Sequence, residues 1–253
     1  MSEPYYQDDR VTLYHGDCRE VTEWLAADVL VTDPPYGIAY AAVAGSRMHR
    51  DIANDHDFTT TEAAVETWGP RDMALFASHG SLVRTHALVT DRLSRVRVAV
   101  WHKANLMGAS PGNPWLADVE FVVMGVTEYP KRPTSAVITA RANVGNPAWV
   151  TRHNAYLHPT QKSLDGMESL ISAMPPGAIA DPFAGSGSTL VAAKQLRRHA
   201  IGVELEERYC EVIAKRLAQD VLDFGEGSAE FVRCSCAPGL CYAECTTASE
   251  AVR

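Results

Sequence analysis

Three short stretches of this chain gather side chains whose types and spacing suit chemistry on a flat, nitrogen-bearing ring. The first is Asp33-Pro34-Pro35-Tyr36-Gly37, placed directly after the apolar run Val29-Leu30-Val31-Thr32. A carboxylate accepts hydrogen bonds, and so does a proline carbonyl, carried on a backbone with fixed φ and no N–H. Asp33 and Pro34 therefore suit the two hydrogens of an exocyclic –NH2. Pro35 stiffens the path between them and Tyr36, whose ring is a stacking surface. A turn of this composition also ends strands with no further task, so the other two stretches decide its meaning.

The second stretch is Asp181-Pro182-Phe183-Ala184-Gly185-Ser186-Gly187-Ser188-Thr189, which follows the short apolar segment 178–180. A strand, a Gly-x-Gly turn and a helix in succession bring backbone N–H groups close to a ligand at a helix amino terminus. Glu204, 17 residues beyond Gly187, ends the next apolar segment and is suited to accept from two ribose hydroxyls. No lysine follows Gly187 as a phosphate cradle requires, and position 190 is Leu where the dinucleotide pattern has a third Gly. Asp181 would repel a pyrophosphate but suits an ammonium. S-adenosylmethionine carries an α-amino group, a sulfonium and a ribose without phosphate, so the residue chemistry favours it. A glycine turn that serves tight packing alone is the alternative. The third stretch, His158-Pro159-Thr160-Gln161-Lys162-Ser163, leads into a helical segment over 164–174; Lys162 taken by itself also fits a solvated side chain.

The elements that must position these stretches read as an alternation of strands and helices. Residues 11–15 form a strand ending at Gly16-Asp17-Cys18, 19–27 a short amphipathic helix, and 29–32 a buried strand, as in a compact parallel βαβ unit. Residues 59–67 open a helix, which Pro70 interrupts and 71–76 continue. Segments 81–89, 96–101 and 119–126 read as strands, and 127–157 as irregular and exposed. Helices over 189–197 and 206–221 flank a strand over 199–204; the second carries Tyr209, Val212, Ile213, Leu217 and Val221 along one side. Residues 39–57 show no period and fit either a lid or an ordinary surface loop.

Asp33-Pro34-Pro35-Tyr36, His158-Pro159-Thr160-Gln161-Lys162 and Asp181-Pro182-Phe183-Ala184-Gly185-Ser186-Gly187, with Gly16-Asp17 and Gly202-Val203-Glu204-Leu205, together resemble the amino-group DNA methyltransferases. With the catalytic motif first and the cofactor motif last, the order is similar to the β class of that family, and the resemblance spans about residues 11–222. It implies an α/β, Rossmann-like S-adenosylmethionine-dependent methyltransferase fold, a mostly parallel sheet with helices on both faces and a circularly permuted motif order. It implies a catalytic set of Asp33, Pro34, Pro35 and Tyr36. It also implies a cofactor pocket lined by Asp17, Cys18, Asp33, His158, Thr160, Lys162, Ser163, Asp181, Phe183, Ala184, Gly185, Ser186, Gly187, Ser188, Thr189, Glu204 and Leu205. Asp17 fits a helix-capping turn equally well. Asp rather than Ser at the head of the first motif resembles the adenine-N6 enzymes, with the cytosine-N4 enzymes as the alternative. RNA and protein-side-chain methyltransferases usually carry Asn there and the opposite motif order.

Charge and composition bound the rest. The chain has 253 residues, 46% apolar and 21% charged, and a net charge of −8. Residues 39–157 nevertheless hold 12 Lys and Arg against 10 Asp and Glu, so the acidity lies elsewhere and a local basic face for double-stranded DNA remains open. Target recognition is expected in 105–157, with 39–57 as a second insertion, inside a methyltransferase domain over 1–222. A homodimer and a partner restriction endonuclease are compatible with the resemblance; the residues decide neither. No signal peptide or membrane span is evident, which reads as cytoplasmic. Residues 223–253 form a tail with Cys234, Cys236, Cys241 and Cys245. The close spacing and the lack of a nearby His favour a Cys-bearing tail over a zinc site, so no metal is expected.

Overall fold

The computed structural model describes residues 2–37, 57–104, 118–129, 135–141 and 161–219. Among them, nine strands form one sheet: β1 (Tyr6–Gln7), β2 (Val11–His15), β3 (Val29–Thr32), β4 (Met73–Ala77), β5 (Arg95–Ala104), β6 (Val119–Val126), β7 (Val137–Arg141), β8 (Ile179–Asp181) and β9 (Ala200–Glu204). Five helices accompany them: α1 (Thr59–Trp68), α2 (Leu82–Thr90), α3 (Leu164–Ala173), α4 (Ser188–Gln195) and α5 (Glu207–Ala218). The order across the sheet is β1-β2-β9-β8-β3-β4-β6-β5-β7.

β2, β9, β8, β3 and β4 run parallel to one another. Every residue of β3 and β4 is buried, which is why their sequences are continuous apolar runs rather than alternating ones. The side chains still divide by a period of two. Val29, Val31, Ala74 and Phe76 join the core beneath α3, α4 and α5, while Leu30, Met73 and Leu75 join the core with Trp24, Trp68 and Val89 on the opposite face. In α5, Cys210, Ile213 and Leu217 recur at helical spacing and are buried. On the other face Trp24 and Trp68 stack 5.8 Å apart, and the Arg71 guanidinium lies 3.5 Å from the Trp68 ring centroid.

The winding reverses between β3 and β8. From β3 the chain passes through α1 to β4 on one side; from β8 it passes through α4 to β9 on the other. A crevice outside the carboxyl ends of the strands is expected at such a point, and Asp33 and Phe183 both lie beyond those ends.

Several expectations are corrected. Residues 19–27 form only a 3₁₀ turn, Glu23–Ala26, and β2 and β3 are not neighbours, since β9 and β8 lie between them. Residues 73–77 are a strand and not a second helical piece: burial on both faces overrides the helix propensity of Met, Ala and Leu. Residues 82–90 are a helix and not a strand, burying Thr85 and Val89 at a four-residue spacing. Residues 127–157 are not irregular throughout, because β7 pairs in parallel with β5 and buries Ile138 and Ala140. Residues 38–56, 105–117, 142–160 and 220–253, which hold most of the expected recognition region and the cysteine tail, lie outside the described residues. No described helix is long and apolar enough to cross a membrane.

Leu170, fully buried in α3, is expected to cost about 2–5 kcal/mol when replaced by Ala. Urea unfolding of Leu170→Ala against the parent chain measures it.

Candidate active site

Four neighbouring parallel strands each end their run with a carboxylate at the same edge of the sheet. Asp17 follows β2, Glu204 closes β9, Asp181 closes β8 and Asp33 follows β3. Parallel pairing puts these ends side by side, with Leu30 opposite Ala180 and His15 opposite Glu204. The Thr32 hydroxyl donates to Asp181 Oδ1 at 2.6 Å, tying the ends of β3 and β8 together.

Asp181 is 2% exposed. Its Oδ1 also accepts from the Phe183 N–H at 3.2 Å, and Thr189 hydrogen-bonds to the carboxyl group. The carboxyl group thus fixes the strand end, the turn and the first residues of α4 to each other. Burial pushes its pKa up to about 6, against the pull of those hydrogen bonds.

The turn after β8 depends on two glycines. Gly185 and Gly187 have φ of 54° and 79°, a region that side chains other than Gly rarely enter. A Cβ at Gly187 would meet Ile213 at 2.9 Å. The Gly185 N–H donates to Glu204 Oε2 at 2.7 Å, and the Glu206 N–H to Oε1 at 2.8 Å. Each Glu204 oxygen keeps a further lone pair for a ligand hydroxyl. Burial pushes Glu204 up to about 7. The Arg216 guanidinium donates to the Ser186 carbonyl and braces the turn from α5.

Segment 161–163 closes on this turn. The Ser188 hydroxyl donates to the Lys162 carbonyl at 2.9 Å. Ser163 Oγ is buried and has no hydrogen-bond partner among the described residues, the condition of a group that a ligand or a water would satisfy. Lys162 is 8% exposed, and its Nζ lies 2.6 Å from Asp33 Oδ2. The Tyr36 hydroxyl donates to the other oxygen, Asp33 Oδ1. Thr61 of α1 donates to the Pro35 carbonyl at 2.9 Å, fastening the turn from below.

The structure therefore brings Asp33, Pro34, Pro35, Tyr36, Lys162, Ser163, Asp181, Phe183, Ala184, Gly185, Ser186, Gly187, Ser188, Thr189 and Glu204 to one edge of the sheet. Leu205, 39% exposed, stands just beyond Glu204. Asp17 sits at the far end of this row, its carboxylate held by Arg19 through the backbone N–H at 2.9 Å and the guanidinium. Cys18 is 6% exposed and packs in the core with Val21 and Trp24; burial pushes its thiol up to about 12. His158 and Thr160 lie outside the described residues. Among the described residues no group of three or more His, Cys, Asp or Glu is arranged to hold a metal ion.

The residues that sequence reasoning missed are Thr32, Thr61, Lys103, Glu120 and Arg216. Glu120 carried one signal, a single acidic residue near the start of an otherwise apolar strand.

This geometry defines an α/β fold whose conspicuous polar groups gather at the point where the winding reverses. A family model described as DNA methylase, N6_N4_Mtase, matches residues 27–216. The chain belongs to this family of N6 and N4 DNA methylases, whose members use S-adenosylmethionine. Among curated relatives, the type II methyltransferase M.ScaI of Streptomyces caespitosus is 26% identical over 265 residues, covering 86% of this chain and 84% of its own. The type II methyltransferase M2.LlaDCHI of Lactococcus lactis subsp. cremoris is 23% identical, covering 86% and 93%. Of solved structures, the M1.HpyAVI–SAM complex matches with a TM-score of 0.60 at 24% identity, over 82% of this chain and 99% of that one. The PvuII DNA methyltransferase, cytosine-N4-specific, matches at 0.59 and 16%, over 87% and 91%. These two likenesses are likenesses of fold.

The raised carboxyls have a consequence for stability. Asp181 and Glu204 hold their protons more tightly folded than unfolded, where ordinary values near 3.8 and 4.5 apply. The folded state therefore binds more protons between about pH 4 and 7, and unfolding free energy falls as pH rises through that window. Urea titrations of the ligand-free chain are expected to show the decline, with a shallower slope in Glu204→Ala.

Proposed function

We propose that the chain transfers the methyl group of S-adenosylmethionine to the exocyclic amino group of a base in double-stranded DNA, with adenine N6 as the target. One observation carries this reading. Asp33 and the Gly185–Gly187 turn stand side by side at one edge of the sheet, because β3 and β8 are neighbours whose ends are joined through Thr32 and Asp181.

The residues present fit the cofactor. Gly185 and Gly187 let the backbone approach closely, Glu204 suits the ribose hydroxyls, and the buried Ser163 hydroxyl awaits a partner. Phe183 and Leu205 offer apolar surface beside them. When bound, the cofactor supplies an activated methyl on sulfur.

Asp33 and the Pro34 carbonyl then accept the two hydrogens of the target amino group. An amino nitrogen conjugated with a ring is a weak nucleophile, because its lone pair is delocalised. Hydrogen bonds to Asp33 and Pro34 favour a tetrahedral nitrogen and localise that pair toward the methyl. Orientation of this kind contributes several kcal/mol in well-positioned reactions, on the order of 7 or more. A stacked base cannot reach Asp33, so it is flipped out of the duplex. The Tyr36 ring then offsets part of the unstacking, at about 1–3 kcal/mol per base.

Asp at position 33 supports adenine. Cytosine N4 presents the same –NH2, and the fold shared with a cytosine-N4 enzyme keeps it as the second reading. Segments 105–117 and 142–157, with 39–56, are the proposed recognition elements; β6 and β7 between them belong to the sheet.

Transfer of labelled methyl from S-adenosylmethionine to unmethylated chromosomal DNA, with RNA and protein in parallel reactions, tests the reading. Label in N6-methyladenine of DNA is expected; label confined to RNA or protein rejects it. Asp33→Ala is expected to abolish transfer with cofactor binding intact. Cofactor affinity is expected to weaken in Glu204→Ala, and in the parent chain to weaken as pH falls below about 7, where Glu204 takes up a proton. Calorimetric titration reads both.

A further inference from the structure

The antiparallel half of the sheet delivers two charged side chains to the edge where Asp33 lies. β6 runs antiparallel to β4, so its beginning lies at the carboxyl end of the parallel strands; β5 runs antiparallel to β6, so its end lies there too. Glu120 is the second residue of β6, and Lys103 the penultimate residue of β5. Lys103 Nζ is 2.5 Å from Glu120 Oε1, Glu120 Oε2 is 2.9 Å from Lys162 Nζ, and Lys162 Nζ is 2.6 Å from Asp33 Oδ2. Cation, anion, cation and anion thus form one line from a strand of the framework to the proposed amino-group acceptor.

We propose that Glu120 is a positioning residue for Asp33: it holds Lys162 in place, and Lys162 holds the Asp33 carboxylate. This rests on the reading of Asp33 as the acceptor for the target amino group.

The surroundings favour holding over proton transfer. Burial opposes the charge on Lys162, yet Asp33 and Glu120 outweigh burial and leave its pKa above the ordinary value. Burial alone would lift Glu120, but Lys162 and Lys103 bring it below the usual carboxylate range. Lys162 also lies 4.7 Å from the centroid of the fully buried Phe76 ring, a further site for its cation. A lysine that keeps its proton cannot take one from Asp33; it can only donate. With Tyr36 donating to Oδ1 and Lys162 to Oδ2, the plane of the Asp33 carboxylate is set from both sides. Each oxygen retains a lone pair for the substrate. Glu120 is needed because a buried ammonium with one counter-charge has freedom to swing, and a second one across from the first removes it.

The test uses the full chain with Glu120→Gln, Lys162→Gln, the double variant and Asp33→Asn. Single-turnover methyl transfer is measured at saturating S-adenosylmethionine and chromosomal DNA, cofactor affinity by calorimetry, and folding by thermal unfolding. Glu120→Gln is expected to slow the transfer step about ten- to a hundredfold, the scale of a small misplacement of reacting groups, with cofactor affinity within twofold of the parent. Because Glu120 acts only through Lys162, the double variant is expected to be no slower than Lys162→Gln. A parental rate in Glu120→Gln, a loss seen in cofactor affinity instead of rate, or a double variant whose slowing is the product of the two single losses overturns the proposal. Should Glu120→Gln not fold, Glu120→Asp decides: it keeps the charge and shortens the reach, so several-fold slowing is expected and a parental rate overturns the proposal. Asp33→Asn separates the two readings. If it methylates at the parental rate, the role of Asp33 itself fails; if it is inactive while Glu120→Gln transfers at the parental rate, only the positioning role fails.

Discussion

The seam between β3 and β8 is the constraint on which the rest depends. Two strands nearly 150 residues apart in sequence pair in parallel there, and their ends are bonded through Thr32 and Asp181, both almost fully buried. Each is a polar side chain removed from water, and losing either partner would leave the other with a hydrogen bond unmade in the interior. A slip of one residue would turn Val29 and Val31 toward the wrong core and separate this pair. Everything that gives the crevice its chemistry is measured from the seam: the acceptor turn follows one strand directly, and the glycine turn the other.

The two sides of the crevice are held in different ways. On the β8 side, rigidity comes from backbone geometry and short-range bonds, with glycines in left-handed conformations and Glu204 collecting two N–H groups. On the β3 side, the turn is rich in proline, and its carboxylate is held by Tyr36 of the same turn and by Lys162 from a distant segment. The parallel half of the sheet supplies the strand ends and their carboxylates; the antiparallel half adds Lys103 and Glu120. A mixed sheet is not an incidental extension here, because reversing β5 or β6 would carry Lys103 or Glu120 to the opposite edge.

Much of this was legible in the residues. The three motifs consist of residue types with restricted backbones or special donors and acceptors, and they lie at strand ends that apolar runs announce. α5 was legible from its period, and β3 and β9 from their apolar continuity. What failed did so for want of non-local information. Met73–Ala77 has the composition of a helix and becomes a strand because both its faces are covered. Leu82–Thr90 is rich in Val and Thr and becomes a helix because only one side of it meets the core. Glu120 and Lys103 have no meaning in their own strands and acquire one only through pairing that brings them opposite Lys162.

The place of β2 has a consequence for how the polypeptide is made. Its parallel neighbour is β9, with Val11 set against Ala200, and the strand that follows it in the chain, β3, lies two positions away. A ribosome that has reached residue 170 has produced both β2 and β3 but neither of the strands that separate them. The amino-terminal segment therefore waits, with an unpaired edge and apolar side chains uncovered, until residues 179–204 have been made. Pairings so distant in sequence fold slowly and leave aggregation-prone surface open meanwhile, so β8 and β9 act as the closing piece for β2 and β3.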